Sequence, residues 1–278
     1  MKRVDFVISN DRHHPAMVRP VVEWLSGSAE LEVRVLSVCE FRGFRSPREE
    51  FERLGVPLTR INRLKLRSSP AAGSTAAARL SERKREWARE LAWLLLLRSG
   101  FRRRWRRPPD LVVLPNDAAF PFDGMVRMLK ERNVPFLLLQ EGVRYLLPEG
   151  VEAGSLNQGR GGADAIAAWG ESSAAYFRAK DNPPERIHLA GNPRFDSIAG
   201  SDWSDQGRRV AESLGLADET LLFLSNPIED HGVCTVDGKL ALVGSFLRSL
   251  APVFERPGFR LVIKLHSQES ESEFRELY

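Results

Sequence analysis

Ionisable residues stand directly after several short apolar runs, which is where open parallel sheets collect their ligands. Ser9-Asn10-Asp11-Arg12-His13-His14-Pro15 follows one such run and leads into a helix from about Pro15. A helix start offers free N–H groups and a positive dipole end to an anion, with Arg12 and His13 beside it; the alternative is a capped helix with solvated histidines. Leu114-Pro115-Asn116-Asp117 places a carboxylate between a run at 111–114 and a helix at about 122–132, so Asp117 is either a functional acid or that helix's cap. Gln140-Glu141-Gly142-Val143-Arg144 follows the apolar run Phe136-Leu137-Leu138-Leu139. Partial desolvation at such a strand mouth is expected to raise the Glu141 pKa and suit a general base, with Arg144 meeting an anionic substrate. The alternative is a structural ion pair between Glu141 and Arg144.

Three further loops have the same placement. Gly191-Asn192-Pro193-Arg194-Phe195-Asp196 reads as a tight turn and rigid hinge between domains, with Asp196 capping the segment after it. Asn226-Pro227-Ile228-Glu229-Asp230-His231-Gly232 and Lys264-Leu265-His266 each end a strand. Their histidines are either satisfied hydrogen-bonding groups or functional ones. No His/Asp pair has a convincing metal-ligand spacing.

The elements that must hold these loops alternate. Strand-like runs at 4–8, 31–38, 57–61, 111–114, 135–139, 165–169 and 186–190 are separated by helical patterns at about 15–27, 47–54, 76–98, 122–132 and 172–180. Strands separated by helices of this size predict an α/β fold, a doubly wound parallel sheet covered on both faces. Residues 1–200 read as one such Rossmann-like domain. After the polar stretch 197–207 the pattern resumes with a helix through Leu214, strands at 220–224 and 260–265, and a helix at about 239–254. Residues 208–278 are therefore expected to be the opening of a second Rossmann-like domain, and the chain a piece of a longer protein.

Composition narrows the class. An excess of 41 basic over 37 acidic residues gives a net charge of only +4, which permits an anionic partner without requiring nucleic acid. Cys39 and Cys234 match no metal or redox spacing, and a reducing cytoplasm is the default. The amino terminus MKRVDFVISN fits neither a signal peptide nor an anchor, since Asp5 interrupts a short apolar run. The basic excess concentrates at 83–107, RKREWARELAWLLLLRSGFRRRWRR, where Trp87, Trp93, Phe101 and Trp105 interleave with arginines. Such a helix is suited to the inner surface of an anionic bilayer, as a peripheral contact. The alternative is a domain helix packed through Leu91, Leu94 and Leu95 with snorkelling arginines. No recognised nucleic-acid fold accompanies the patch.

Taken in order, these motifs resemble the GT-B superfamily of nucleotide-sugar-dependent glycosyltransferases, UDP-N-acetylglucosamine 2-epimerases and CDP-glycerol glycerophosphotransferases. LLLQEGVR resembles the epimerase strand ending in Glu-Ala-Gly-Leu-Arg, here without the alanine; HLAGNPRFD resembles the shared Gly-Asn-Pro turn; VIKLHSQES resembles the Lys-Leu-His-Pro strand end of surface-carbohydrate enzymes, with Ser267 for proline. The resemblance implies a GT-B-like fold and a glycosyltransferase of surface polysaccharide or glycolipid assembly, with an epimerase, a glycerophosphotransferase-like enzyme or a non-catalytic nucleotide-sugar-binding protein as alternatives. It implies catalytic roles for Glu141, Asp117 and His231, and substrate contacts from Arg12, His13, Arg144, Asn192 and His266. The partners it implies are a nucleotide sugar, which is substrate rather than cofactor, and a carbohydrate or lipid-linked acceptor. Because the family binds its nucleotide mainly on loops that would lie beyond Tyr278, the 278-residue chain alone is expected to be inactive.

Overall fold

A computed structural model of the chain describes residues 1–42, 44–61, 84, 87–88, 90–91, 93–146, 158–216, 219–229, 234–266 and 269–275. The described residues fall into two compact units, those up to Gly200 and those from Ser201 onward.

The first unit is built on a seven-stranded, all-parallel sheet. In chain order its strands are β1 (Lys2–Ile8), β2 (Leu31–Ser37), β3 (Leu58–Arg60), β4 (Leu111–Leu114), β5 (Phe136–Leu139), β6 (Ala165–Ala168) and β7 (Ile187–Leu189). Their spatial order is β3-β2-β1-β4-β5-β6-β7, so the winding direction reverses between β1 and β4. Register runs from Lys2↔Leu31 to Ile8↔Ser37 on one side of β1 and from Val4↔Leu111 to Phe6↔Val113 on the other.

Alternation along these strands divides the core. Val7, Leu36, Val112, Leu114, Phe136, Leu138 and Ile166 point to one face. There they meet side chains of α3 (Arg98–Arg104), α4 (Phe122–Glu131) and α5 (Glu171–Arg178). Val4, Phe6, Ile8, Val33, Val35, Val113 and Leu139 point to the other, against α1 (His13–Ser26) and α2 (Arg48–Glu52). This is the period-2 pattern of strands buried on both faces. Asp5 breaks that pattern in β1 and is fully buried. Its carboxylate accepts from Arg34 Nε at 2.9 Å, Arg34 Nη2 at 2.7 Å and Trp105 Nε1 at 2.7 Å, so the buried charge is paired and hydrogen-bonded.

Two expectations change here. Trp93, Phe101 and Trp105 are core residues rather than interfacial rings, while Leu91, Leu94 and Leu95 are exposed rather than the packing stripe. A π-helical turn over Trp93–Leu97 precedes α3 and turns Trp93 and Leu97 inward. The start of the long helix expected at 76–98 lies outside the described residues. The polar stretch 197–207, read as an interruption of the pattern, overlaps two helices, α6 (Pro193–Ala199) and α7 (Ser204–Ser213).

A cavity of about 1030 Å³ runs along the sheet face between α1 and α6, lined by Phe6, Val21, Trp24, Val113, Leu139 and Pro193 among others. The second unit holds β8 (Thr220–Leu224) and β9 (Arg260–Lys264), a parallel pair, with α7, α8 (Val236–Ser249), α9 (Ala251–Phe254) and α10 (Glu271–Arg275). Among the described residues no helix is long and apolar enough to cross a membrane.

Candidate active site

The reversal between β1 and β4 opens a crevice at the carboxyl ends of the strands, the general position for ligands in such sheets. Three successive loops meet there. After β1, the Asn10 side chain accepts from the backbone N–H of His14 at 2.9 Å and of Arg12 at 3.3 Å, so Asn10 satisfies a free N–H of the first turn of α1 from two residues before its N-cap, Arg12. Arg12 and His13 are exposed at that helix start. His14 is turned inward and is 1% exposed.

His14 links two loops. Its Nδ1 accepts the Ser9 backbone N–H at 3.0 Å, which puts the ring proton on Nε2, and Nε2 lies 2.9 Å from Glu141 Oε1. Glu141, half-buried after β5, receives a second, longer contact from Asn116 Nδ2 at 3.3 Å. Burial pushes the Glu141 carboxyl up, but His14, Asn116 and the nearby Arg144 charge outweigh it and hold the group below the usual glutamate range. The rise expected from desolvation is therefore reversed by specific partners. Nor does Glu141 pair directly with Arg144, whose Nε donates to Gln158 Oε1 at 2.7 Å.

Asp117 is not the cap of α4. The neighbouring Asn116 Oδ1 accepts from Ala118 N at 2.9 Å and Ala119 N at 2.8 Å. Asp117 is 3% exposed and accepts Gly159 N–H at 2.8 Å on Oδ1 and Gly161 N–H at 2.7 Å on Oδ2. Burial pushes its carboxyl up, against those two N–H groups. A Cβ on Gly161 would come 2.6 Å from Asp117 Oδ2, so only glycine lets the backbone approach this closely. Two buried amides complete the frame. Gln140 accepts from Trp169 N at 2.7 Å and donates to Ser173 Oγ at 2.9 Å, tying β5 to β6 and α5. Gln158 donates to Pro115 O at 2.8 Å.

The remaining expected site residues are not on these three loops. Asn192 caps α6, its side chain accepting from Arg194 N at 3.1 Å, and Asp196 sits inside that helix instead of capping it. The turn expected as a hinge thus begins a helix that packs on α1. In the second unit His266 is exposed, its backbone N–H donating to Glu269 Oε2 at 2.6 Å. His231 lies outside the described residues. The residues missed by sequence are His14, Asn116, Gln140 and Gln158. A usable signal existed for His14, which shares the stripe of Val18 and Val22 at four-residue spacing and so faces the core while His13 does not. Cys39, close by, donates its thiol to Asn10 O at 3.2 Å, and burial pushes it up to about 12, which removes it as a nucleophile. Among the described residues no three His, Cys, Asp or Glu side chains converge to hold a metal ion.

Known structures share this architecture. MnaA of Staphylococcus aureus, solved with UDP, superposes with a TM-score of 0.58 at 13% identity over 100% of this chain and 64% of that one. The fold is GT-B-like. The UDP-GlcNAc 2-epimerase of Neisseria meningitidis bound to UDP-GlcNAc gives 0.57 at 14% identity, over 100% of this chain and 68% of that one. The UDP-GlcNAc 2-epimerase of Methanocaldococcus jannaschii gives 0.54 at 13% identity, over 99% and 68%. The chain thus spans less than two thirds of the length of MnaA. No family model matches the sequence, and no curated protein does.

Proposed function

We propose that the β1–β4–β5 crevice is the acid–base half of a nucleotide-sugar site, and that its chemistry is that of a UDP-N-acetylhexosamine 2-epimerase. The observation that carries this reading is the Glu141 carboxylate, kept ionised at neutral pH by His14 and Asn116 at the mouth of an apolar strand. An ionised, oriented carboxylate accepts a proton from carbon without first losing one. The proton at sugar C2 passes to Glu141, the C2–H electron pair becomes a C1–C2 double bond, and the C1–O bond breaks with its electrons leaving on the diphosphate. Re-addition then restores the C1–O bond to the diphosphate while a solvent-derived proton is delivered to the opposite face of C2, which inverts that centre. Asp117 has both oxygens engaged by backbone, and its role in this reading is to hold the 159–161 turn beside the crevice. Arg144, near both carboxylates, offers positive charge to the leaving diphosphate.

A glycosyltransferase would use the same carboxylate to deprotonate an acceptor hydroxyl. The epimerase reading is preferred because fold neighbours, among them those of N. meningitidis and M. jannaschii, are named as 2-epimerases. One experiment separates the two. The full-length gene product is incubated with UDP-N-acetylglucosamine in heavy water, without acceptor, and deuterium at C2 is followed by NMR. Incorporation that Glu141→Gln abolishes while nucleotide-sugar binding persists supports the proposal. An intact donor carrying no deuterium overturns it and sends the search to acceptors.

A further inference from the structure

Trp169, directly after β6, carries a buried donor that the described residues leave unused. Its ring is half-buried, but the indole Nε1 is shut off from water and has no hydrogen-bond partner among them. A buried indole N–H ordinarily finds an acceptor, as Trp105 Nε1 does on Asp5 at 2.7 Å. An unpaired one opposes folding, so its presence here points to an acceptor that is not part of the chain.

Sheet register puts this donor beside the candidate base. Strands β5 and β6 pair as Leu137↔Ala165, Leu138↔Ile166 and Leu139↔Ala167, and the same offset two residues on sets Glu141 opposite Trp169. Both side chains leave the same face of the sheet. Glu141 meets His14 of α1, the Trp169 ring lies 6.3 Å from that of Phe195 in α6, and α1 packs on α6. Gln140, one residue earlier, turns to the opposite face, where it donates to Ser173. Its Oε1 accepts the Trp169 backbone N–H at 2.7 Å and so fixes the main chain from which the indole projects.

The wall on this face is apolar. Leu139, Ala167, Ala190 and Pro193, at or just past the carboxyl ends of β5, β6 and β7, line the cavity of about 1030 Å³. A group suited to the place has an acceptor oxygen for the indole and an apolar tip for that wall, and lies within a few bonds of the atom facing Glu141. A phosphate has no apolar tip and would bring charge against the wall. A sugar hydroxyl supplies the oxygen alone. An acetamido group on the carbon that Glu141 deprotonates supplies both, in its carbonyl and its methyl.

We propose that Trp169 reads the N-acetyl group of the substrate, its Nε1 donating to the acetamido carbonyl oxygen while the methyl meets the apolar wall. Phe195, 58% exposed, turns aside to admit the group. The inference rests on the reading of the crevice as a nucleotide-sugar site, and it gives Trp169 a part in specificity rather than in proton transfer.

The test is calorimetric titration of the full-length gene product and its Trp169→Phe variant with UDP-N-acetylglucosamine and with UDP-glucose, which has a hydroxyl in place of the acetamido group. Phenylalanine keeps a packed ring and removes the donor. The parent should prefer the acetamido sugar, and W169F should lose about three- to tenfold in affinity for it with UDP-glucose unchanged. Without ligand, W169F should melt no lower than the parent, because an unpaired buried donor has been removed. A merely structural indole would lower the Tm and weaken both sugars alike. Parent-like binding of both sugars by W169F, or an equal loss of both, overturns the role of Trp169. Equal binding of the two sugars by the parent overturns the recognition of the acetamido group. Binding of neither sugar by the parent overturns the nucleotide-sugar reading itself, and this inference with it.

Discussion

His14 Nε2 lies 2.9 Å from Glu141 Oε1 across 127 positions of sequence, and the Ser9 N–H on Nδ1 makes Nε2 the donating nitrogen. The carboxylate singled out from sequence as a candidate base is therefore held by a histidine in the first turn of α1.

His14→Ala removes a donor to Glu141 while burial remains, so the Glu141 pKa should rise toward and past the usual glutamate range. The acid limb of the pH–rate profile should shift upward. His14→Gln, whose amide N–H can reach the Nε2 position, should restore part of the shift. Stability has the matching sign. A depressed carboxylate pKa stabilises the fold above its unfolded value and loses that contribution as pH falls through the folded one. The Tm gap between wild type and His14→Ala should thus be widest near neutrality and narrow in acid. An acid limb that does not move would remove His14 from control of Glu141.

Asp117 should behave oppositely. Its carboxyl is raised, so the fold gains stability as pH drops through its folded pKa, and Asp117→Asn should lose that gain. Asp117→Ala leaves the Gly159 and Gly161 N–H groups unpaired in a buried place, at about 1–3 kcal/mol each. Gly161→Ala, which drives a methyl into the Asp117 side chain, should destabilise in the same direction. Denaturant melts over a pH series measure all three.

How much of this was legible in the sequence depends on what each residue answers to. The strands of the first unit were legible because runs such as Phe136-Leu137-Leu138-Leu139 are apolar on both faces, and loops after them were marked as chemical by topology alone. Glu141 and Arg144 could be singled out as candidates, but not their partners. Whether Arg144 meets Glu141 or Gln158 depends on a loop 14 residues on, which no periodicity reports. Asp117 was ambiguous because Asn116 and Asp117 both make good caps, and the structure gives α4 neither: Asn116 closes the turn at 118–119, and α4 begins after Pro121 with no side-chain cap. Segment 83–107 was legible only in part, for another reason. Its aromatic residues carry an interfacial composition, but Trp105 is buried where its indole N–H serves Asp5, a need visible only once β1 is placed.

Gly124 tests the packing of that same segment. A Cβ there would come 2.6 Å from the Trp93 ring. Alanine gains about 1 kcal/mol of helix propensity in α4, while overpacking against a rigid buried indole costs about 1–3 kcal/mol, so Gly124→Ala should be destabilising on balance. Trp93→Leu should relieve the clash, and a thermodynamic cycle of the two should show coupling above about 0.5 kcal/mol. Additive losses would mean that the two sites do not touch in solution.

Lys239 gives the sharpest test of the second unit. It is 3% exposed and donates to Glu229 Oε1 at 2.8 Å and to Glu269, which also accepts from Ser225 Oγ at 2.7 Å. Burial pushes both carboxyls up, yet the lysine holds each below the usual glutamate range. One cation thus compensates two acids that tie the loops after β8 and β9 to the first turn of α8. Lys239→Met keeps the aliphatic stem but leaves the carboxylates uncompensated, which should cost about 3–5 kcal/mol at neutral pH. The pH dependence must also change sign. In the wild type the stability these carboxylates supply is lost as pH falls through their depressed values, whereas in Lys239→Met their pKa values rise above the unfolded ones and acid stabilises the fold. Chemical denaturation of the chain near pH 7 and near pH 5 checks both parts, and a variant as stable as wild type at neutrality would mean that the triad is not formed in solution.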